Sequence, residues 1–473
     1  MCVPERQQRP AWIFLAAVFL SCAPFARTQA TPLGSEFREQ VDQIAKQALK
    51  NTGVPSASVA IAKDGQIAYV HAYGDARLDP RVPARPEMRY SIGSISKQFT
   101  ATAILMLAEE HKLSLDDPVS RFLPTLTRAN EVTIRELLSH TSGYQDYWPQ
   151  DYVPPFMLAE VTADQILEQW ARRPLDFDPG TQWQYSNTNF VIAGLIVEKA
   201  SGMPLMRFLR ERVFLPVGME SVADVDNGPL SDPDATGYLR YGLGPDRVAP
   251  KEGKGWLFAA GELAMPARDL AKWDIAMIDQ RLLKPSSYKE MQTEVLLKSG
   301  EGTRYGLGIS VRYELHHRVL EHGGEISGFA AENMVFPDDR IALVVLTNEM
   351  PADAAPEIAQ KIAELLFPED PAPVDKEKQQ ALRIFEQLQQ GAVDRSLLTA
   401  NAKSYFTEQA LQDFAKSLAP LGSPQEFVQT AKEQRGGMTF YSYRAKFSQK
   451  TFAVWLRKMP DGKVEQYQLM VEP

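Results

Sequence analysis

Cysteine is all but missing from this chain: 473 residues carry two, Cys2 and Cys22, both near the N-terminus. That excludes a disulfide framework and a cysteine-rich zinc site, and a chain this long can bury enough surface to fold without crosslinks. Histidine is scarce as well, six in all, with no His-Glu-x-x-His string. The adjacent His316 and His317 would point to opposite faces of a strand and cannot chelate as a pair. His71 and His111 read as ordinary strand and helix residues, and His140 as a residue that holds a turn. Gly-x-x-x-x-Gly-Lys and Gly-x-Ser-x-Gly are absent too, which removes the phosphate-cradling loop and the nucleophile elbow. There is no basic cluster: 51 Lys and Arg stand against 60 Asp and Glu, a formal charge of -9, so nothing is arranged to neutralise a phosphate backbone. Neither metal, cofactor nor nucleic acid is expected. What remains, 44% hydrophobic and 23% charged, has the composition of a globular enzyme.

The longest apolar run is short. Arg6 and Arg9 precede Ala11 to Leu20, and Ala23, Pro24 and Thr28-Gln29-Ala30 follow. That pattern predicts a secretory signal over residues 1–30, cleaved after Ala30 and too short to span a bilayer, hence a periplasmic or secreted protein without a transmembrane segment. Leu20-Ser21-Cys22 offers a rival reading as a lipid-attachment site, but Phe19 stands where a smaller aliphatic residue is wanted.

Three short strings carry the chemistry. The first is Ser94-Ile95-Ser96-Lys97, followed by Phe99, Thr102, Ala103, Leu105, Met106 and Leu107, an apolar pattern that predicts a buried helix ending near Leu113. Ser94 falls at the mouth of that helix, and Lys97, one turn on, shares its face. A hydroxyl is a poor nucleophile until a base takes its proton, and a desolvated lysine loses enough basicity to be that base. A second Ser-x-x-Lys, Ser286 to Lys289, lacks such a helix and a downstream partner and is set aside. The second string is Tyr185-Ser186-Asn187, after the turn at Pro179-Gly180 and ahead of an apolar helix from Asn189 to Ala200. A phenol placed there shuttles protons, and an amide two residues on can bond both Lys97 and a carbonyl. The third is His322-Gly323-Gly324, opening a strand-like region before the runs Ala330 to Phe336 and Ile341 to Thr347. Glycines there let another backbone approach closely.

Taken together, these strings resemble the active-site signature of the serine β-lactamase and penicillin-binding protein superfamily. Glu136-Leu137-Leu138-Ser139-His140-Thr141-Ser142-Gly143-Tyr144, Gly261-Glu262-Leu263 and Tyr305-Gly306-Leu307-Gly308 place the likeness in its class C related branch, from about Ser35 to about Phe367. That branch includes esterases and D-amino-acid-specific peptidases. The resemblance implies Ser94 as acylated nucleophile, Lys97 as its base, Tyr185 as general acid and base, and Asn187 as an orienting amide. His322 would join them in the catalytic group, at the head of a substrate-binding strand edge formed by Gly323, Gly324 and Glu325, with backbone N–H groups of Ser94 and Glu325 as the oxyanion hole. It implies a secreted serine hydrolase acting on an ester, a D-amino amide or a peptide. The alternatives are a weak β-lactamase or D-Ala-D-Ala carboxypeptidase, or a non-catalytic substrate-binding or sensor protein. Strong β-lactamases carry lysine where this chain has His322, which is largely neutral above about pH 7, so a substrate carboxylate loses its anchor. Glu325 nearby further disfavours a carboxylate and suits an amine.

The expected class is α+β: a β-lactamase and transpeptidase-like fold over residues 31–367, an antiparallel sheet with flanking helices plus a helical region. An amphipathic helix from Ser35 ends at Gly53, and two strands meet at Lys63-Asp64-Gly65. The aromatic stretch Tyr144 to Phe156 reads as packing, or else as an apolar wall of the cleft. A proline-rich linker, 368–375, then leads to a small α+β domain, 376–473. It shows helices near Lys376 to Gln390 and Glu408 to Leu418, and four alternating segments between Glu426 and Val471. That shape is similar to cone-like domains of the nuclear-transport-factor-2 type, an analogy of fold alone. The last domain shows no motif of its own, so a stabilising or docking role is expected, and its residues name no protein partner.

Overall fold

The computed structural model describes residues 33–148, 153–242, 244–368, 376–435 and 437–471. The expected signal segment and lipid-attachment site, and most of the proline-rich linker, lie outside them. After Phe367 the chain divides into two compact units.

In the first unit, α1 (Ser35–Thr52) buries Val41, Ala45 and Ala48 on one face. The strands β1 (Ser56–Lys63), β2 (Gln66–Leu78) and β3 (Arg81–Pro83) follow. A helix α2 (Lys97–Glu109) and, much later, α3 (Asn187–Ser201) and α4 (Ala267–Ile278) belong to the helical region. The chain then returns to the sheet through β4 (Ser310–Glu314), β5 (His317–Ile326), β6 (Phe329–Phe336) and β7 (Ile341–Thr347), and the unit ends in α5 (Ala354–Leu366). These strands make one seven-stranded sheet in the order β3-β2-β1-β7-β6-β5-β4, with antiparallel neighbours.

The central strand β7 is apolar without interruption from Ile341 to Leu346 because both sheet faces are covered. In β7, Ile341, Leu343 and Val345 join α1 and α5 in one core, whereas Ala342, Val344 and Leu346 join the helical region in the other. Each of the fully buried Leu343, Val344, Val345 and Leu346 contributes about 1.5–3 kcal/mol relative to exposure. Helix α2 is buried at every residue from Lys97 to Leu107, which is why its hydrophobicity shows no polar stripe.

Three details depart from the sequence reading. Helix α2 stops at Glu109, short of Leu113, and His111 lies beyond it in a left-handed turn with φ 59°. His316 sits with Leu315 in the tight β4–β5 turn, so only His317 is on a strand, where it meets Asp339 at 2.8 Å and stacks on Phe367. The string His322-Gly323-Gly324 does not open a strand but lies in the second half of β5, because cross-strand partners Asn333, Glu332 and Ala331 on β6 carry the ladder through both glycines.

The second unit holds α6 (Lys376–Gln389), a short α7 (Ala400–Tyr405) that no sequence pattern announced, and α8 (Glu408–Leu418). A four-stranded antiparallel meander follows: β8 (Glu426–Arg435), β9 (Met438–Lys446), β10 (Thr451–Lys458) and β11 (Val464–Val471). Phe452, Val454 and Leu456 alternate inward along β10 and share a core with Ile384, Phe385 and Leu388 of α6.

Candidate active site

Ser94 stands in a 3-10 turn, Gly93–Ser96, that runs directly into α2. The turn packs against strand β5 with no room for side chains between the backbones. A Cβ on Gly93, whose φ is 50°, would lie 2.7 Å from the Glu325 nitrogen, and one on Gly324 would lie 1.9 Å from the Ile92 carbonyl oxygen. The peptide before Ser94 and the peptide of Glu325 therefore touch. Along β5 the faces alternate: Gly324 is buried in this packing, while Gly323 and Glu325 are exposed.

Lys97, fully buried, is the centre of the polar contacts. Its Nζ lies 2.9 Å from Ser94 Oγ, 2.8 Å from Asn187 Oδ1 and 2.8 Å from the Ala260 carbonyl oxygen. Burial lowers its pKa from 10.5 to about 7, against the carboxyl groups of Asp146 and Glu262, which favour the cation although burial raises the pKa of each of them, of Glu262 most. A neutral amine has two N–H bonds and one lone pair. The carbonyl oxygens of Asn187 and Ala260 can only accept, so they take the two N–H bonds and the lone pair faces the Ser94 hydroxyl.

Tyr185 comes from the loop before α3, and Lys97 Nζ sits 5.0 Å from its ring centre. Burial raises the phenol's pKa far above 10, with Ser94 pulling it down and Asp146 and Glu325 adding to the rise. Its oxygen is buried without a hydrogen bond of good geometry, although Ser94 is near enough to act on its titration. Such approaches are long before substrate binds and tighten when it does. His140 props this loop from behind. It is fully buried at φ 60°, its Nδ1 accepts the Ser186 N–H at 3.2 Å, its carbonyl accepts the Gln184 N–H at 3.0 Å, and its ring lies 4.2 Å from that of Tyr185. It does hold a turn, the one that carries the phenol.

His322 is held in one tautomer. Its Nδ1 lies 2.6 Å from the Gly323 carbonyl oxygen, which only accepts, so Nδ1 carries the proton; Nε2, 2.9 Å from Tyr305 Oη, accepts from the phenol. Burial, the neighbouring Lys97 and Arg312 lower its pKa to about 3, against the bond to Gly323. His322 is thus a neutral ring and no carboxylate anchor.

A cavity of about 350 Å³ opens beside Ser94, walled by Asp146, Tyr147, Trp148, Asn187 and Leu257. Another of about 310 Å³ shares Ser94, Tyr185 and Glu325 and reaches Trp183, Arg312 and His322. The aromatic stretch is both packing and wall: Tyr144 is buried with its hydroxyl on the Thr127 carbonyl, whereas Tyr147 and Trp148 line the cleft.

The structure brings Ser94, Lys97, Tyr185, Asn187 and His322 together, with Gly323 and Glu325 at the rim. The rejected Ser286 and Lys289 are exposed on a surface helix. Sequence reasoning missed Asp146, Tyr305 and the Ala260 carbonyl as members of the site. Asp146 had a signal, being the one charge in the string Tyr144 to Trp148; a backbone carbonyl has none. Among the described residues no helix is long and apolar enough to cross a membrane, and no group of His, Cys, Asp and Glu could hold a metal ion.

Residues 41–367, well over half of the chain, match the family model described as Beta-lactamase. Penicillin-binding protein 4* of Bacillus subtilis is 30% identical over 346 residues, covering 68% of this chain and 76% of that protein. A D-aminopeptidase of Brucella anthropi is 28% identical over 298 residues, covering 62% of this chain and only 56% of its own length. Among solved structures, a D-stereospecific amidohydrolase from Streptomyces sp. aligns with a TM-score of 0.60 at 29% identity, over 70% of this chain and 98% of the other.

Proposed function

The chain belongs to the beta-lactamase family of serine hydrolases, and from that premise we propose that it works through an acyl-enzyme on Ser94, with ester, D-amino amide or peptide substrates. The observation that carries this reading is the 2.9 Å contact of the buried Lys97 Nζ with Ser94 Oγ, with the carbonyl oxygens of Asn187 and Ala260 on the same nitrogen at 2.8 Å, so that the amine in its neutral form directs its lone pair at the hydroxyl. Ser94 Oγ attacks the substrate carbonyl and passes its proton to Lys97 Nζ. The carbonyl oxygen becomes an oxyanion facing the backbone N–H groups of Ser94 and Glu325. The bond to the leaving group breaks as Tyr185, a phenol kept protonated by burial, gives that group its proton; Lys97 returns a proton to Tyr185. Water then attacks the acyl-enzyme, its proton passes back through the same groups, and Ser94 is released.

The neutral His322 and the carboxylates Asp146 and Glu325 around the cleft favour an acyl part that is neutral or carries an amine over one that presents a carboxylate. The apolar walls at Tyr147, Trp148 and Leu257 favour a hydrophobic acyl group. We further propose, from the N-terminal pattern, export to the periplasm or medium. The organisation that goes with this is a hydrolase domain over 31–367, a linker over 368–375 and a separate small domain over 376–473.

Intact-mass measurement tests the acyl-enzyme reading. The protein is incubated with a fluorophosphonate, a penicillin, and a panel of D-amino amides and short esters. Mass should be left on Ser94 by the fluorophosphonate and by esters or D-amino amides, and none should appear with Ser94→Ala. A stable adduct from penicillin alone would point to a penicillin-binding or carboxypeptidase role. Absence of any adduct would leave the non-catalytic reading standing.

A further inference from the structure

Asp146 takes no part in the steps above, yet its carboxylate is turned inward, and most of its bonds run to one residue. Its Oδ1 accepts the Asn187 backbone N–H at 2.8 Å, the Trp148 N–H at 3.2 Å and the Asn187 Nδ2–H at 3.2 Å; its Oδ2 lies 3.3 Å from the same Nδ2. At its other end, the Asn187 amide presents Oδ1 to Lys97 Nζ at 2.8 Å. The amide is therefore clamped between a carboxylate and an amine. An ionised carboxylate only accepts, so it can face the NH2 end and not the oxygen. Turned over, the amide would set its oxygen against the carboxylate and aim an N–H bond at the lone pair of Lys97, the same lone pair that must take the Ser94 proton.

Resting on the reading of Ser94 and Lys97 above, we propose that Asp146 is a positioning residue for the reaction: by clamping Asn187 in one of its two orientations, it aims the Lys97 lone pair at Ser94. Groups two bonds removed from the chemistry act in this way by removing unproductive geometries before substrate arrives. The carboxylate has a second effect through its charge. Lys97 is faced by Asp146 and Glu262, by the rings of Tyr185 and Phe190 at 5.0 and 5.5 Å, and by His140 and His322, both kept neutral by burial. Of these, Asp146 gives the ammonium form more support than Glu262, whose own carboxyl burial pushes well above its ordinary value. Neutralising it removes that support and makes Lys97 a free amine at lower pH.

The test is steady-state kinetics of Asp146→Asn on an activated aryl ester, with rates normalised to the Ser94 that a fluorophosphonate titrates, so that misfolded molecules do not count. The expected result is a fall in kcat of about tenfold to hundredfold, a KM changed by less than about threefold, and an acidic limb of kcat/KM moved to lower pH. In an Asn187→Ala background, where there is no amide left to clamp, Asp146→Asn should lower kcat by less than about twofold more. A normal kcat with an unmoved limb would overturn the proposal. So would full additivity in the double variant, the mark of a merely structural residue. A higher KM confined to amine-bearing substrates, with kcat intact, would make Asp146 a seat for a substrate ammonium instead. If the wild-type protein itself takes no label on Ser94, the acyl-enzyme reading falls first; if it labels and Asp146→Asn behaves as wild type, only this proposal falls.

Discussion

The rate of acylation should carry the titration of Lys97. An amine moved from 10.5 to about 7 is disfavoured as a cation by about 5 kcal/mol, at about 1.36 kcal/mol for each pH unit. The cause is burial under the Ser94 turn and the loop that carries Tyr185, with Asp146 and Glu262 offsetting part of it. Below about pH 7 the group is an ammonium with three N–H bonds and no lone pair, so Ser94 has no base. On an activated aryl ester, kcat/KM should therefore rise about tenfold per pH unit from pH 5, bend near 7 and level off above about 8, roughly a hundredfold higher than at pH 5. A lysine at its ordinary value would be a free amine in about one molecule in 3,000 at pH 7, and the rate would climb to pH 10. Initial rates between pH 5 and 10 at constant ionic strength, with the Ser94→Ala background subtracted, separate the two. A rate still rising tenfold per unit beyond pH 9, or a flat profile, would refute the reasoning. Glu332 on β6 supplies the control, since burial and the nearby Glu321 push its carboxyl up to about 8. In Glu332→Gln the bend should stay where it is; a bend that disappears with it would belong to that carboxyl and not to Lys97.

Two further outcomes follow from the same geometry. Tyr185→Phe keeps the ring over Lys97 and the packing on His140 but removes the proton donor. Turnover of an amide, whose leaving group needs that proton, should fall by about 10² to 10⁴, and turnover of an activated ester much less; product release from paired amide and ester substrates measures the difference. His322→Lys puts an ammonium where a neutral ring now bonds Tyr305. KM for a carboxylate-bearing ester should drop at least about tenfold against its neutral methyl ester, and equal KM changes for the pair would show that position 322 does not face the leaving side of the substrate.

Much of the site was legible because its members are bound to local patterns. Ser94 and Lys97 are one helical turn apart, so the spacing alone put amine and hydroxyl on the same face. Tyr185 and Asn187 were readable from the proline-glycine turn before them and the apolar helix after them. Strand β1 was readable from the turn at Lys63-Asp64-Gly65, β6 and β7 as strand-like runs on either side of Pro337-Asp338-Asp339, and the alternation of Phe452, Val454 and Leu456 announced β10. Short elements were less visible. The two-residue turn at Leu315-His316 and helix α7 have too few residues for periodicity to show, and β5 was masked by glycines that its partners on β6 tolerate.

By itself, the order of residues singled out the proposed nucleophile, its amine and phenol, and the two-unit plan, since each depends on neighbours within a turn or a strand. Folding over long separations decided the rest. Ala260, 163 positions from Lys97, supplies the carbonyl that fixes the lone pair, Asp146 reaches across 41 positions to hold Asn187, and Tyr305 reaches 17 to close His322 against a carboxylate. Those contacts are made by packing, which depends on the whole chain at once, and no local pattern encodes them.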